Sequence, residues 1–407
     1  MCIRDREKFT AFVKTVTSKP VVGVGRFTSA DAMLSQVNRG ILDFIGAARP
    51  SIADPYLPNK IRQGRFEDIR ECIGCNICVA SDNVVAPIRC TQNPVAGEEW
   101  KRHWHPETIA PAVEVVDTLV VGAGPAGLEC ALQLARRGHN VSVVDASTTL
   151  GGRSLRESTL PGLASYGRVA DYRIGQLQRM SNVQLLPDNE LQAKDIAESG
   201  LSHVFLATGS RWRRDAMGRQ HRLGLALQAA NVITPDDILD DKSISGDVLV
   251  YDDDHYYMGG VIAEQLVAMG CTVTLVTPAA RLSEWTEHTL EIDKIQARIY
   301  NAGIRVYTST ELVSASQQSA TVQHIHSGES HQLKADSLCL VTSRQSNDEL
   351  YQSLLSADLK TLCCVGDCYA PGTISSAVYA GHLAARRFQN EETEDQLLFR
   401  RELIAIS

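Results

Sequence analysis

Residues 117–147 constrain the fold of this chain more than any other segment. They read DTLVVGAGPAGLECALQLARRGHNVSVVDAS: an apolar strand, a glycine turn, an amphipathic helix and a second strand. Gly122, Gly124 and Gly127 follow the first strand directly, and Asp145 ends the second strand about 20 residues later. Glycines at this spacing allow a sharp turn and a close approach of the backbone to a pyrophosphate. The segment therefore predicts a Rossmann-like dinucleotide-binding unit, with phosphates at the helix N-terminus and Asp145 on the adenosine ribose.

Accessory turns of the type that surrounds a flavin dinucleotide come from both ends of the chain. They lie in GGR after the acidic residue, in VFLATGS, and in LCCVGDCYAP near the C-terminus. The first nucleotide domain is therefore expected to be discontinuous, with residues 113–232 joined by residues 347–407. Besides the glycines and Asp145, its predicted cofactor-binding residues are Pro125, Ala126, Gly152, Arg153, Gly209, Gly366 and Asp367.

Residues 233–346 predict a second Rossmann-like domain whose nucleotide turn is degenerate. The stretch VLVYDDDHYYMGGVIAEQLVAMGCTVTLVTP has the same strand, turn, helix and strand order. However, its turn carries Asp252, Asp253 and Asp254, followed by Tyr256 and Tyr257, where a phosphate turn is glycine-rich. Carboxylates repel a pyrophosphate, and bulky side chains block the approach of the backbone. We expect no nicotinamide dinucleotide to bind there. A metal site at this turn is a weaker alternative, since consecutive side chains at a strand end diverge.

Cys72, Cys75, Cys78 and Cys90 form the pattern C-x2-C-x2-C-x11-C within residues 66–112. Thiolates at this spacing can supply the four cysteine ligands of a [4Fe-4S] cluster. A structural zinc site normally pairs two C-x2-C knuckles across a longer finger, so zinc is the weaker alternative. Disulfides are disfavoured because no secretory signal core is visible and the 11 cysteines are an odd number.

Residues 1–65 contain two units of an apolar strand followed by a helix. The strands are PVVGVG and ILDFIG, and both predict buried strands. Such units resemble the last two units of a (β/α)₈ barrel, whose phosphate site follows strands 7 and 8. We therefore expect a barrel remnant and a chain that begins inside a domain. Candidate phosphate contacts are Gly25, Arg26, Ala48 and Arg49, although solvated arginines at strand ends are an equally ordinary reading.

Composition excludes several other classes of protein. With 44% hydrophobic and 22% charged residues, the chain of 407 residues has the composition of a globular enzyme with two to three domains. Its strand, turn and helix units predict the α/β class. Its net charge of -8, without a basic cluster, argues against a nucleic-acid partner. No apolar run approaches the length of a membrane span, so we expect a cytoplasmic protein with no membrane partner.

The combined motifs resemble the iron-sulfur flavoprotein family that contains trimethylamine, dimethylamine and histamine dehydrogenases. The residues that carry this resemblance are CIGCNIC, CTQNPVAGEEWKRHWHPE, VVGAGPAGLECA, ATGS, YDDDHYYMGG, WTEHTLE and VGDCYAP. A more distant relative, 2,4-dienoyl-CoA reductase, has a three-residue gap between its second and third cluster cysteines. The two-residue gap between Cys75 and Cys78 fits the amine dehydrogenase branch better.

The resemblance implies a relay of three cofactors. FMN at the barrel mouth oxidises a small amine, a [4Fe-4S] cluster takes the electrons singly, and an electron-transferring flavoprotein or similar acceptor collects them. The first Rossmann site would hold ADP or FAD, and a homodimer is possible. Because the barrel segments that form the substrate pocket precede the matched region, the chain is expected to lack amine-oxidising activity, and no catalytic residue is assigned. The alternatives are an NAD(P)H-dependent enoyl reductase and a non-catalytic ADP-binding module.

Overall fold

The computed structural model describes residues 3–101, 104, 107–228 and 231–390. The predicted first domain extends to residue 407, so its last part lies outside the described residues. The N-terminal part contains six helices and two short strands. They are α1 (Ile3–Thr10), α2 (Val13–Val16), β1 (Val22–Val24), α3 (Ala30–Asn38), β2 (Phe44–Gly46), α4 (Ala48–Ala53), α5 (Leu57–Arg62) and α6 (Ile77–Asn83).

The central and C-terminal parts alternate strands and helices. Residues 117–212 form β3 (Asp117–Val121), α7 (Pro125–Arg137), β4 (Asn140–Val144), α8 (Gly152–Glu157), α9 (Arg168–Leu177), β5 (Val183–Leu186), α10 (Ala193–Glu198), β6 (His203–Leu206) and β7 (Ser210–Trp212). The next part forms β8 (Val232–Ile233), α11 (Pro235–Leu239), β9 (Asp247–Asp252), α12 (Met258–Ala268), β10 (Thr272–Val276), α13 (Ile292–Asn301), β11 (Arg305–Tyr307), β12 (Thr310–Ala315), β13 (Ser319–His324), β14 (Ser330–Lys334) and β15 (Ser337–Val341). The chain then forms β16 (Arg344–Ser346), α14 (Glu349–Leu354), β17 (Thr361–Cys364) and α15 (Ile374–Arg387).

Two five-stranded parallel sheets organise the α/β fold. The first has the strand order β17-β6-β3-β4-β5, so a strand from near the C-terminus completes the sheet that begins at β3. The second has the order β11-β10-β9-β15-β8. β7 and β16 pair antiparallel, and a three-stranded antiparallel sheet, β12-β13-β14, packs against the second parallel sheet.

Helix α7 has local start and stop signals that match its observed bounds. Pro125 stands at its first turn, where a missing N–H costs nothing, and Gly138 ends it in the left-handed region at φ +103°. Helix α15 packs across it because Gly381 has no side chain: a Cβ there would lie 2.2 Å from the carbonyl oxygen of Ala126. Helix α15 is thereby held against the helix that starts at the glycine turn.

The burial predicted for the first two strands is wrong. β1 and β2 do pair in parallel, in register from Val22 opposite Phe44 to Val24 opposite Gly46. Nevertheless Val22, Val24 and Phe44 are 59%, 57% and 58% exposed. In the described part of the chain no further strand pairs with either edge, so only one face of this unit is packed. That face is a small core of Phe27, Ile41 and Leu42.

Trp100 and Trp104, which follow Cys90, differ in how deeply they are buried. Trp104 is buried and lies 5.8 Å from Tyr379 and 5.5 Å from His382, both on α15, as ring-centroid distances. Trp104 thus packs this segment against the nucleotide domain. Trp100 is half exposed, and His105 lies outside the described residues. No helix in the described ranges is long and apolar enough to cross a bilayer.

Candidate functional site

The glycine turn after β3 has the geometry that its sequence predicts. Gly122 adopts φ +102°, and a Cβ there would lie 2.3 Å from the carbonyl oxygen of Ala207. A Cβ on Gly127 would lie 1.8 Å from the carbonyl oxygen of Gly122. At Gly124, by contrast, a Cβ would meet nothing within 4 Å. The first and third glycines are therefore required by packing, whereas the second borders open space at the N-terminus of α7.

Asp145 stands beside this turn at the end of β4. Its carboxylate accepts hydrogen bonds from the backbone N–H of Ala123 at 2.6 Å and of Ser147 at 2.8 Å. These contacts orient the side chain, and each carboxylate oxygen retains a further acceptor site. The group is thus held in place, with capacity left for a ribose hydroxyl.

The accessory turns meet in one polar network. Arg153, in α8, donates to the carbonyl oxygen of Ser210 at 2.7 Å and pairs with Asp236 at 2.7 Å. Asp367 accepts from the Ser210 hydroxyl at 2.8 Å and from the Arg344 guanidinium. The network joins residues that are far apart in the sequence, and Arg344, on β16, was not singled out from the sequence.

A cavity of about 1560 Å³ connects these features. It is bordered by most of the residues predicted for the nucleotide: Gly122, Gly124, Pro125, Ala126, Asp145, Gly152, Arg153, Gly209 and Asp367. Gly127 and Gly366 are not among its wall residues; a Cβ on Gly366 would lie 2.5 Å from the Cβ of Ala126. The cavity also reaches Ile73, Cys75 and Thr91 of the cysteine segment, so it has room for more than an adenosine moiety.

In the acidic turn of the second sheet, Asp253 is covered by this chain's own residues, whereas Asp254 borders the large cavity. Asp252 and Asp253 are fully buried. One Asp253 oxygen accepts from the backbone N–H of Gln220 at 2.8 Å, and the other lies 3.2 Å from Nε2 of His255. Burial, together with the charge of Asp254, raises the pKa of Asp252 to about 7. A dinucleotide phosphate at this turn would therefore face carboxylates, and the segment that contains Gln220 covers Asp253.

Aromatic side chains pack against one another just before the N-terminus of α12. The ring of Tyr256 lies 4.5 Å from that of Tyr257 and 4.7 Å from that of Trp285. Tyr257 also contacts Tyr166 at 5.7 Å between ring centroids and donates to Glu157 at 3.1 Å. Tyr256, Tyr257 and Trp285 also border the large cavity, and the obstruction of a second dinucleotide site stays a prediction.

The four cysteines predicted as ligands line a single small cavity. Cys72, Cys75, Cys78 and Cys90 share it with Ile73, Thr91 and Gln92, among others. Burial, aided by repulsion from neighbouring thiolates, raises the pKa of Cys75 to about 12 and that of Cys78 to about 11. Burial likewise raises the pKa of Cys90 to about 11. The raised pKa values keep the thiols of Cys75, Cys78 and Cys90 protonated at neutral pH, so their thiolate forms would need a bound cation.

Both a cluster and a single ion need their sulfur ligands around one cavity, which is how the four cysteines lie. Within the described residues, no three His, Cys, Asp or Glu side chains are placed to hold one metal ion. The backbone amides of Ile77 and Val79 partly offset the rise in the pKa of Cys75 and Cys78, and those of Asn93 and Gln92 do so for Cys90. Such donors stabilise thiolate ligands, so the residues present fit the cluster.

The residues predicted to bind a flavin mononucleotide phosphate lie against the cysteine segment. Gly25 follows β1, and Ala48 and Arg49 begin α4. Arg26 donates to the carbonyl oxygen of Cys72 at 3.3 Å, and Arg49 donates to the amide oxygen of Asn76. Both guanidinium groups therefore join the barrel-like unit to the cluster segment.

Sequence reasoning missed two residues next to the fourth cysteine. The Thr91 hydroxyl lies 3.1 Å from Sγ of Cys75. The Gln92 side chain accepts from Arg173 at 3.0 Å, and Arg173 pairs with Glu129 at 2.7 Å. The position of Thr91 directly after a predicted ligand was the only available signal.

Comparison with known families agrees with this geometry. Residues 116–361 match the pyridine nucleotide-disulphide oxidoreductase family. The chain belongs to this family. Residues 2–68 match the NADH:flavin oxidoreductase / NADH oxidase family. The two-domain nucleotide fold of the pyridine nucleotide-disulphide oxidoreductases thus follows a flavin-oxidoreductase segment in one chain.

Individual relatives confirm the resemblance to amine dehydrogenases. The chain is 36% identical to dimethylamine dehydrogenase of Hyphomicrobium sp. (strain x), over 96% of this chain and 58% of the relative. It is 48% identical, with a TM-score of 0.92, to the solved 6-hydroxypseudooxynicotine amine oxidase of Pseudomonas geniculata N1, covering 95% of this chain and 59% of that one. Histamine dehydrogenase of Rhizobium sp. 4-9 is 44% identical, with a TM-score of 0.93, over 99% of this chain and 60% of that one. The chain thus spans less than two thirds of the length of these relatives.

Proposed function

We propose that this chain is the C-terminal electron-transfer portion of an iron-sulfur flavoprotein that oxidises, and thereby N-demethylates, amines. In this proposal, Cys72, Cys75, Cys78 and Cys90 hold a [4Fe-4S] cluster within residues 66–112. When bound, such a cluster accepts and releases one electron at a time. Electrons from an FMN site would leave to an electron-transferring flavoprotein or a similar acceptor.

The observation that carries the proposal is the position of the cysteine cavity. All four cysteines line it, and Cys75 and Thr91 also border the large nucleotide cavity. A redox group held by the cysteines would thus lie next to the cavity proposed for the nucleotide. The similarity to dimethylamine dehydrogenase supports amines as the substrate class.

The glycine turn, Asp145 and the Arg153–Ser210–Asp367 network would hold an adenine nucleotide, either ADP or FAD. The backbone N–H groups at the start of α7 face the phosphates, and Asp145 accepts from the ribose. Asp367 is oriented by Ser210 and Arg344. The chain's own role at this site is to bind and orient the nucleotide.

Residues 1–65 would contribute one part of an FMN site, as the remnant of a (β/α)₈ barrel. Arg26 and Arg49 supply positive charge at the ends of β1 and β2.

Anaerobic purification followed by iron and sulfide analysis tests the cluster. We expect about four irons per chain and an electron paramagnetic resonance signal on reduction with dithionite. A chain that folds, binds ADP and contains no iron would reject the electron-transfer role and leave the non-catalytic nucleotide module.

A further inference from the structure

A buried hydroxyl contacts one of the four cysteines. Thr91 is 2% exposed, and its Oγ1 lies 3.1 Å from Sγ of Cys75, 16 residues earlier in the chain. Thr91 follows Cys90 directly, so the loop that carries the fourth cysteine also places this hydroxyl against the second. Both residues border the nucleotide cavity as well as the cysteine cavity.

The neighbouring residue fixes the backbone of this loop. Gln92 is 1% exposed, and its side-chain amide donates to the carbonyl oxygens of Glu71 at 3.1 Å and Arg168 at 3.2 Å. Its backbone carbonyl accepts from Arg173 at 3.1 Å. Such satisfied, buried contacts restrict the loop to one conformation, so the Thr91 hydroxyl is held in place before any cofactor binds.

Ligation decides which atom donates in the contact between Thr91 and Cys75. Between a neutral thiol and a hydroxyl either atom can donate. A cysteine bound to iron is a thiolate without a proton, so only the hydroxyl can then donate. A hydrogen bond to a cluster sulfur favours the reduced state, because that state carries one more negative charge.

We propose that Thr91 is a positioning residue that raises the reduction potential of the cluster by donating a hydrogen bond to the Cys75 thiolate. This inference rests on the proposed function, since it requires the cluster. It adds a residue outside the cysteine set that governs how readily the chain accepts an electron.

The test is a redox titration of the purified chain, followed by electron paramagnetic resonance. Thr91→Val keeps the shape of the side chain and removes the hydroxyl, whereas Thr91→Ser keeps the hydroxyl. At a fixed potential we expect Thr91→Val to lower the ratio of reduced to oxidised cluster about tenfold, equivalent to about 59 mV for one electron. Thr91→Ser should stay within about twofold of the wild type, as its donor is retained.

Iron content separates the possible failures. If the wild type contains no iron, the proposed function fails, independently of Thr91. If Thr91→Val retains full iron and the wild-type potential, the tuning role is overturned. Thr91→Ala provides a second variant that adds no methyl group to the cavity wall, and it should show the same shift as Thr91→Val. Loss of iron from both variants, with retention in Thr91→Ser, would assign Thr91 to cluster assembly and overturn the proposal.

Discussion

The Arg173 guanidinium donates to a carboxylate oxygen of Glu129 at 2.7 Å, and both side chains are shielded from solvent. Glu129 lies on α7, the helix that begins at the glycine turn, and Arg173 lies on α9. Arg173 also holds Gln92 in the cysteine segment. One ion pair therefore links the candidate nucleotide site to the candidate cluster site.

Arg173→Met should destabilise the chain by about 3–5 kcal/mol, because it leaves the Glu129 carboxylate buried without its charged partner. Arg211→Met is the matched control. Arg211 pairs with Glu349 at the surface, where both side chains are at least half exposed, and its loss should cost less than about 1 kcal/mol. Urea unfolding measures both values, and equal costs for the two variants would contradict the assigned role.

Acid should weaken the same ion pair. Burial alone would raise the pKa of Glu129, but Arg173 and the hydrogen bond from His382 outweigh it and hold that pKa well below its usual range. A lowered folded-state pKa contributes stability that is present above the unfolded pKa and is lost as pH falls below it. The cost of Arg173→Met should therefore be larger at pH 7 than at pH 3, provided that both proteins still unfold cooperatively at pH 3.

Cys75→Ala should reduce the iron content from about four atoms per chain to less than about one, since a [4Fe-4S] cluster normally needs all four cysteine ligands. Cys271→Ala is the control: Cys271 is buried next to the carbonyl oxygen of Ile244, in the core of the second nucleotide domain. That variant should retain its iron. Equal iron contents in the two variants would exclude the cysteine cavity as the cluster site.

Gly127→Ala should destabilise the chain by about 2–3 kcal/mol and weaken ADP binding, because the added Cβ would overlap the carbonyl oxygen of Gly122. Gly175→Ala, within α9, would meet nothing within 4 Å. It should leave ADP binding unchanged and stabilise the helix by about 0.5–1 kcal/mol. Thermal unfolding with and without ADP measures both effects, and a stable, ADP-binding Gly127→Ala would contradict the packing role of the third glycine.

Asp252→Asn should become relatively more stabilising as pH rises. Burial raises the folded-state pKa of Asp252 to about 7, above its ordinary value of 3.8. Between pH 3.8 and about 7, Asp252 is ionised in the unfolded chain but keeps its proton in the folded chain. Ionisation therefore lowers the free energy of the unfolded chain, and the wild type loses stability as pH rises through this range. Relative to the wild type, the variant should gain about 2 kcal/mol more at pH 8 than at pH 5, as measured by urea unfolding. A difference that is independent of pH would show that Asp252 ionises normally.

ADP and NADPH should act differently on the chain. ADP at about 100 times its dissociation constant should stabilise the fold by about 2.7 kcal/mol. NADPH should neither stabilise the chain nor bleach a reconstituted flavin. The carboxylates of the acidic turn of the second sheet would repel a pyrophosphate, and in the first site Asp145 would oppose the 2′-phosphate. Bleaching by NADPH would favour the enoyl reductase alternative.

Short-range features of the fold could be predicted from the sequence by itself. The glycine turn, the helix after it and Asp145 were predictable because each follows from backbone geometry within one strand-helix-strand unit. The cysteine spacing was similarly sufficient to predict that four thiols would meet.

Other features depend on contacts between distant segments, and only the tertiary structure decided them. Asp253 is covered by a loop 33 residues away, and Arg173 reaches Gln92 across 81 residues. The same is true of the exposed faces of Val22 and Phe44, whose apolar sequences predicted burial. Burial and long-range hydrogen bonds are set by which surfaces the folded chain brings together. No local pattern in the sequence specifies those surfaces, whereas local backbone geometry depends on the conformational preference of each residue.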